Sequence, residues 1–184
     1  MSSYFSNGKL LLTSEYGVLG GAKALALPCK KGQNLEFKKN NTRILSWKSY
    51  DYQNSLWFEA TFIVPEIKIK DTSDSVIAKR LQNILNNAKS LNKSFLNLGG
   101  EVKTSLEFDF KWGLGSSSTL ISNIALWAKI NPYSLGESSF GGSGYDIACG
   151  SAKGPIFFTR NSNKPIIQKV CLLYTSPSPR DWLQ

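Results

Sequence analysis

The sequence predicts an α+β fold in which a mainly antiparallel sheet carries its helices on one side. Three observations lead there. The first sixty-odd residues hold short apolar runs rich in aromatic and β-branched residues, separated by polar turns. From Asp74 the apolar spacing changes to a helical period. A second apolar helical run then follows a glycine- and serine-rich stretch, "KWGLGSSSTL".

Taken in order, "KLLLTSEYGVLGG" reads as an apolar strand with turn residues at each end, and "ALALP" stops at Pro28. "NLEFK", "RILSW" and "LWFEATFIV" follow, parted by "KKGQ", "KNNT" and "YDYQNS". Connections this short favour hairpins over crossovers. Between Asp74 and Leu91, Ile77, Leu81, Ile84, Leu85 and Ala88 share one helix face, with Lys79, Arg80, Gln82, Asn83 and Asn86 away from it. "EVKTSLEFDF" alternates Val102, Ser105 or Leu106, Phe108 and Phe110, which predicts a strand. Leu120, Ile121, Ile124, Ala125, Trp127 and Ala128 form the second helix, and Pro132 cannot continue it. A short helix is expected around Tyr133 to Glu137. "FGGSGYDIACG" is a glycine-rich turn opening a short helix at Asp146, and "PIFFT" and "PIIQKV" read as closing strands.

Composition narrows the chemistry. At 184 residues, with 41% hydrophobic and 19% charged residues, the chain reads as soluble and globular. No signal-peptide pattern and no membrane-length apolar run occurs, so a cytoplasmic protein is expected. The absence of histidine excludes a Ser-His-Asp triad and His-ligated metals, and three distant cysteines do not suit a zinc or disulfide framework. A net charge of +9 suggests anionic partners, either nucleic acid or a phosphorylated small molecule. The final stretch, "CLLYTSPSPRDWLQ", breaks from all preceding periodicity. Cys171 to Asp181 resembles the translation of a transposase adapter used in sequencing libraries. The expected division is therefore a domain over 1–170 and a non-native tail over 171–184.

The stretch from Gly113 to Ser118 admits two readings. One is a turn with a serine cap on the helix behind it. The other is an anion cradle, since glycine permits close backbone approach and the first turn of a helix presents free N–H groups. No Walker A pattern is present, and the glycine spacing lacks the Rossmann fingerprint.

Three stretches together resemble the GHMP kinases, the superfamily of galactokinase, homoserine kinase, mevalonate kinase and phosphomevalonate kinase. "NGKLLLTSEYGVLGG" is similar to their first signature, "GLGSSS" to the second, and "GGSGYDIA" (Gly141 to Ala148) to their aspartate motif, in a bacterial subgroup named for the Gly-Tyr-Asp-Ile-Ala string. The resemblance spans nearly all of residues 1–170. It implies the N-terminal domain of such a kinase, with a ribosomal S5 domain 2-like fold, and the absence of the C-terminal domain and third signature.

The resemblance also implies roles. ATP phosphates would lie on Gly113, Leu114, Gly115, Ser116, Ser117 and Ser118, with Ser117 offering a hydroxyl to Mg²⁺ and Glu137 as second metal ligand. Asp146 would take or orient the acceptor hydroxyl's proton, with Lys9 beside it, Glu15 supporting Lys9, and Gly144 shaping the turn. Outside the resemblance, Lys9 reads equally as an exposed lysine at a strand start, Asp146 as a helix cap, and Glu137 as a helix-end glutamate. Asn7 stands where proline is usual and Ser14 where glycine is usual. The partners implied are ATP and a small hydroxylated metabolite, with mevalonate or a related isoprenoid precursor first. Other acceptors on the same fold, namely phosphomevalonate, homoserine or a sugar, are alternatives, as is a diphosphomevalonate decarboxylase. A basic RNA-binding module of the same fold is more distant, because arginines are few. Neither a nucleic-acid nor a membrane partner is expected, and the oligomeric state is left open.

Overall fold

The computed structural model describes residues 1–161 and 165–170; the tail expected over 171–184 lies outside them. Strands β1 (Ser2–Leu11), β2 (Ala24–Lys39), β3 (Ile44–Tyr50), β4 (Leu56–Ile63), β5 (Lys68–Thr72), β6 (Gly100–Leu106), β7 (Ile156–Thr159) and β8 (Ile166–Lys169) form one sheet. Its order is β5-β4-β3-β6-β2-β7-β8, with β1 paired to β2 off that path. Every pairing is antiparallel except β3 with β6, which the excursion through β4, β5 and the first helix brings side by side in parallel. Among the described residues four α-helices accompany the sheet: α1 (Ser75–Leu91), α2 (Ser116–Ala128), α3 (Pro132–Ser139) and α4 (Tyr145–Ser151). No described helix is long and apolar enough to cross a membrane.

Helix α1 begins where the sequence suggested. The Asp74 carboxylate accepts from the Val76 and Ile77 amides at 2.8 and 3.0 Å, closing two of the four open donors of the first turn. Its buried residues Leu81, Ile84, Leu85 and Ala88 meet Leu45, Trp47, Phe58 and Phe62 of the sheet and Ile121, Ile124 and Ala125 of α2 in one core. A smaller cluster joins Ala24, Ala26, Ile156 and Phe158 to Val18, Ala148 and Cys149.

The opposite face of the sheet is open and charged. Across it Lys38 stands opposite Glu101, Glu36 opposite Lys103, and Lys48 opposite Glu59. Opposite charges in register suit a solvated sheet surface.

Three sequence expectations move. β2 does not stop at Pro28 but runs through it to Lys39. The proline fits because β7 pairs only Ala24 to Ala26 and β6 only from Gln33, so no described strand covers that edge between them. β1 ends at Leu11, and Val18 is buried from a 3-10 turn over Gly17–Gly20 rather than from a strand. β6 stops at Leu106, and its buried face is Gly100, Val102, Thr104 and Leu106, so Ser105 is not on it. Phe110 leaves the alternation altogether, in a 3-10 turn where it is 61% exposed.

Helix α2 is buried nearly all round, including its polar residues Thr119, Ser122 and Asn123. Asn123 receives the Ser6 hydroxyl at 2.8 Å and donates to the Gln33 carbonyl at 2.8 Å, tying α2 to β1 and β2. Ser122 has no such partner: among the described residues its buried hydroxyl finds no hydrogen bond. An unpaired buried hydroxyl costs on the order of 1 kcal/mol or more. Ser122→Ala is therefore expected to stabilise the chain by about 1 kcal/mol, read as a raised denaturation midpoint; a lowered midpoint would show that the hydroxyl is satisfied.

Candidate active site

The loop before α2 ends on a left-handed glycine that opens the helix. Gly113 and Gly115 both adopt left-handed backbone, with φ of +69° and +87°. A side chain on Gly115 would place its Cβ 2.6 Å from Ser118 Oγ and 3.2 Å from Lys9 Cγ and Cε, so glycine is required for both space and conformation. Gly115 is also the helix N-cap, and among the described residues no side chain caps α2. The helical ladder starts with Thr119 N to Gly115 O at 3.0 Å, which leaves the Ser116, Ser117 and Ser118 amides to an outside acceptor. Ser118 Oγ and Thr119 Oγ1 donate back to the Gly115 and Ser116 carbonyls at 2.9 Å each. The hydroxyls of Ser116 and Ser117 are engaged by no described residue, and Ser117 is exposed.

Lys9 is fixed against this loop. Its backbone N–H donates to the Leu114 carbonyl at 2.9 Å. The contact follows a register shift between Asn7 and Lys9, at Gly8, where a Cβ would come within 3.1 Å of the Leu114 and Lys31 carbonyl oxygens. The Lys9 ammonium sits 5.4 Å from the centre of the Tyr145 ring, a cation–π contact with the first residue of α4. Asn7, at the position where proline is usual in the family it resembles, donates its Nδ2 to the Ala152 carbonyl at 3.0 Å and so ties β1 to the end of α4. Ser14 does hold a glycine-like backbone, φ +63°, and anchors it by donating to the Lys23 carbonyl at 3.0 Å.

Asp146 lies in the first turn of α4, half-buried, where the helix dipole favours a carboxylate. Its Oδ1 accepts the Ile147 amide at 2.9 Å. The preceding N-cap, Gly144, is left-handed at φ +84°, and a Cβ there would meet the Tyr133 ring at 3.1 Å. Two neighbours register Asp146. Burial pushes the Cys149 thiol up to about 12, and the Asp146 and Cys29 charges add to the rise while Lys9 opposes it. Burial likewise pushes the Tyr133 phenol up to about 12, with Cys149 and Asp146 adding to it. Lys9 meets both the Gly-Ser loop and Tyr145, so β1, that loop and α4 converge.

The remaining candidates disperse. Ser116 and Ser117 edge a pocket of about 460 Å³ whose other walls include Trp47, Trp57, Leu81 and Ile84. Glu137 is exposed and edges a different cleft, about 640 Å³, with Tyr133, Gly141 to Gly144 and Arg160. Ser117 and Glu137 therefore face separate cavities, and among the described residues no three acidic or thiol side chains gather to hold a metal. Glu15 is exposed and enters none of the contacts around Lys9. Residues that the sequence did not single out complete the site: Tyr145 over Lys9, Tyr133 under the glycine turn, and the aromatic pocket beside the serines. Only the unusual density of tryptophan and phenylalanine hinted at that pocket.

No family model and no curated protein sequence matches the chain. Solved structures do match in fold. The mevalonate kinase of Methanococcus jannaschii aligns over 92% of this chain and 56% of its own, at 14% identity and a TM-score of 0.64. A galactokinase of Lactococcus lactis in complex with galactose aligns over 90% of this chain and 46% of its own, at 16% identity and a TM-score of 0.65. A phosphomevalonate kinase of Streptococcus pneumoniae, bound to phosphomevalonate and AMPPNP, aligns over 87% and 50%, at 15% identity and a TM-score of 0.61. The chain spans about half the length of these structures. Its sheet and four helices have the fold of the N-terminal domain of GHMP kinases.

Two outcomes follow from the geometry. Gly115→Ala is expected to lower stability by about 1–2 kcal/mol, since it forces a Cβ into left-handed backbone and onto Ser118; a denaturation curve unchanged from the parent would refute the tight contact. The second concerns Cys149. Below its ordinary value of 9.0 the thiol is neutral whether the chain is folded or not. Between 9.0 and about 12 only the unfolded chain releases the proton, so stability falls as pH rises through that window. The urea midpoint should decline there, and decline less in Cys149→Ala.

Proposed function

We propose that this chain is the nucleotide-binding part of a GHMP-type kinase that transfers the γ-phosphoryl group of Mg-ATP to a hydroxyl of a small metabolite, with mevalonate or a related isoprenoid precursor as acceptor. On this reading residues 1–170 are the N-terminal domain, and 171–184 are a tail foreign to it. The observation that carries the proposal is the junction of Lys9 with the Gly-Ser loop, through the Lys9 N–H to Leu114 bond and the packing of its side chain on Gly115, with α4 on its other flank. A capping loop alone has no use for a lysine pressed into it from another strand.

Phosphoryl transfer asks a protein chiefly for placement and charge neutralisation. The open amides of Ser116 to Ser118 receive phosphate oxygens, and the apolar pocket beside them takes the flat face of the base between aromatic and aliphatic side chains. Ser117, whose hydroxyl no described residue engages, would hold a magnesium ion with an oxygen of the hard type that ion prefers, and the ion would supply charge neutralisation at the phosphates. Asp146 accepts the proton of the acceptor hydroxyl as that oxygen attacks the γ-phosphorus. The bond to the β,γ-bridging oxygen breaks, and ADP leaves with that electron pair. The Lys9 ammonium offsets the charge that gathers between the two oxygens. The cleft lined by Glu137 and the Gly141 to Gly144 turn adjoins Asp146 and suits the acceptor.

A neutral sugar acceptor is the second reading, because one structural neighbour is a galactokinase bound to galactose. Turnover decides between them. ADP release from Mg-ATP is measured with mevalonate, phosphomevalonate, homoserine and galactose. Asp146→Asn is expected to slow release by about 10²–10⁴-fold while leaving ADP binding intact. Turnover undiminished in that variant would remove Asp146 from the reaction.

A further inference from the structure

We propose that the paired hydroxyls of Ser49 and Thr104 read the edge of the nucleotide base, donating one hydrogen bond to an acceptor nitrogen of the ring. The inference rests on the nucleotide reading above and names the residues that set base specificity. Both lie outside all three sequence motifs. They stand opposite each other where β3 and β6 run parallel, on the same face as the buried Trp47 and Val102. Only 5% and 1% exposed, they nevertheless line the pocket that Ser116 and Ser117 edge.

Counting protons leaves one of them free. Ser49 Oγ accepts the Trp47 indole N–H at 3.0 Å, and the two hydroxyl oxygens lie 2.9 Å apart. The pair holds two hydroxyl protons, and the single bond between them uses one. If Thr104 donates, the Ser49 proton is left over; if Ser49 donates, the Thr104 proton is. Among the described residues no acceptor takes it in either case. A buried hydroxyl proton is expected to have a partner. The Trp47 bond runs back along β3 and the other crosses to β6, which leaves the pocket side open. Position along the sheet then selects the base rather than the phosphates. Thr104 precedes Leu106, the end of β6, by roughly 7 Å of strand, and the Gly-Ser loop lies beyond Leu106. The pair therefore stands back from the open amides of α2, among Trp47, Trp57 and Phe58. One donor in an aromatic pocket fixes which edge a flat ring presents.

The test changes one ring atom at a time. ADP and the three analogues in which carbon replaces N1, N3 or N7 of the purine are titrated calorimetrically into the full chain. One analogue is expected to bind about tenfold or more weakly than ADP, and the other two within about twofold of it. In the Ser49→Ala/Thr104→Val double variant, that analogue and ADP are expected to bind alike. Three analogues that all match ADP in the unsubstituted chain overturn the proposal. A preference that survives in the double variant overturns it too, since it then belongs to another group. A chain that binds none of the four ligands refutes the nucleotide reading itself and takes this inference with it. Should the double variant not fold, isotope-labelled ADP on the unsubstituted chain decides. The resonance of the selected ring nitrogen is expected to move further on binding than those of the other two, and equal shifts overturn the contact.

Discussion

One backbone hydrogen bond organises the site, the Lys9 amide on the Leu114 carbonyl. It can form only because two residues on either side have no side chain. Gly8 lets the bulged strand lie on the loop, and Gly115 lets the loop curl under the lysine stem. Any Cβ at either place would push strand and loop apart by a few tenths of an ångström or more. The lysine's position is thus a property of main-chain packing, fixed before electrostatics acts. The loop's left-handed glycines then serve a second purpose, turning the first amides of α2 outward.

Beneath that contact lies polar rather than apolar support. Ser6, Gln33, Thr119 and Asn123 are all buried, and they bond one another across β1, β2 and α2. Directional bonds hold a helix at one rotation and one height, which a uniformly greasy contact does not. The apolar core on the far side, around Trp47, Phe58 and Leu85, supplies bulk cohesion instead. Precision and cohesion are divided between two faces of the same helix.

The sequence was most legible where one physical rule acted alone. The helical period of α1 and its start at Asp74 could be read directly, because one face is buried and the other solvated. Pro28 misled, since a proline stops a strand only if the edge it faces is paired, and that depends on where β6 and β7 attach. Thr104 was passed over for Ser105 because two hydroxyl residues side by side carry no hint of which one faces inward; its bond to Ser49, 2.9 Å, is with a strand far away in sequence. Thr119 and Asn123, also buried, lie outside the apolar residues from which the second helix was read. At the candidate site, the glycines, Lys9 and Asp146 were visible as motifs, whereas the contact of Lys9 with the Tyr145 ring and the buried pair of Gln33 and Thr119 exist only through three-dimensional pairing. Ser117 and Glu137, joined by resemblance, edge different cavities.

The long strand β2 has a consequence for the order of assembly. Its pairing with β1 joins neighbours along the chain, Leu11 with Ala26, so this hairpin closes at little entropic cost. The parallel pairing of β3 with β6 must wait for Leu45 to find Gly100, and the β7 pairing for Ala24 to find Phe158. Contacts so distant in sequence are the slow ones to form. During synthesis on a ribosome, Lys9 therefore already stands in its ribbon while the segment bearing Asp146 has yet to be made. The lysine end of the site is laid down first, and the aspartate is delivered to it when the β7 edge docks.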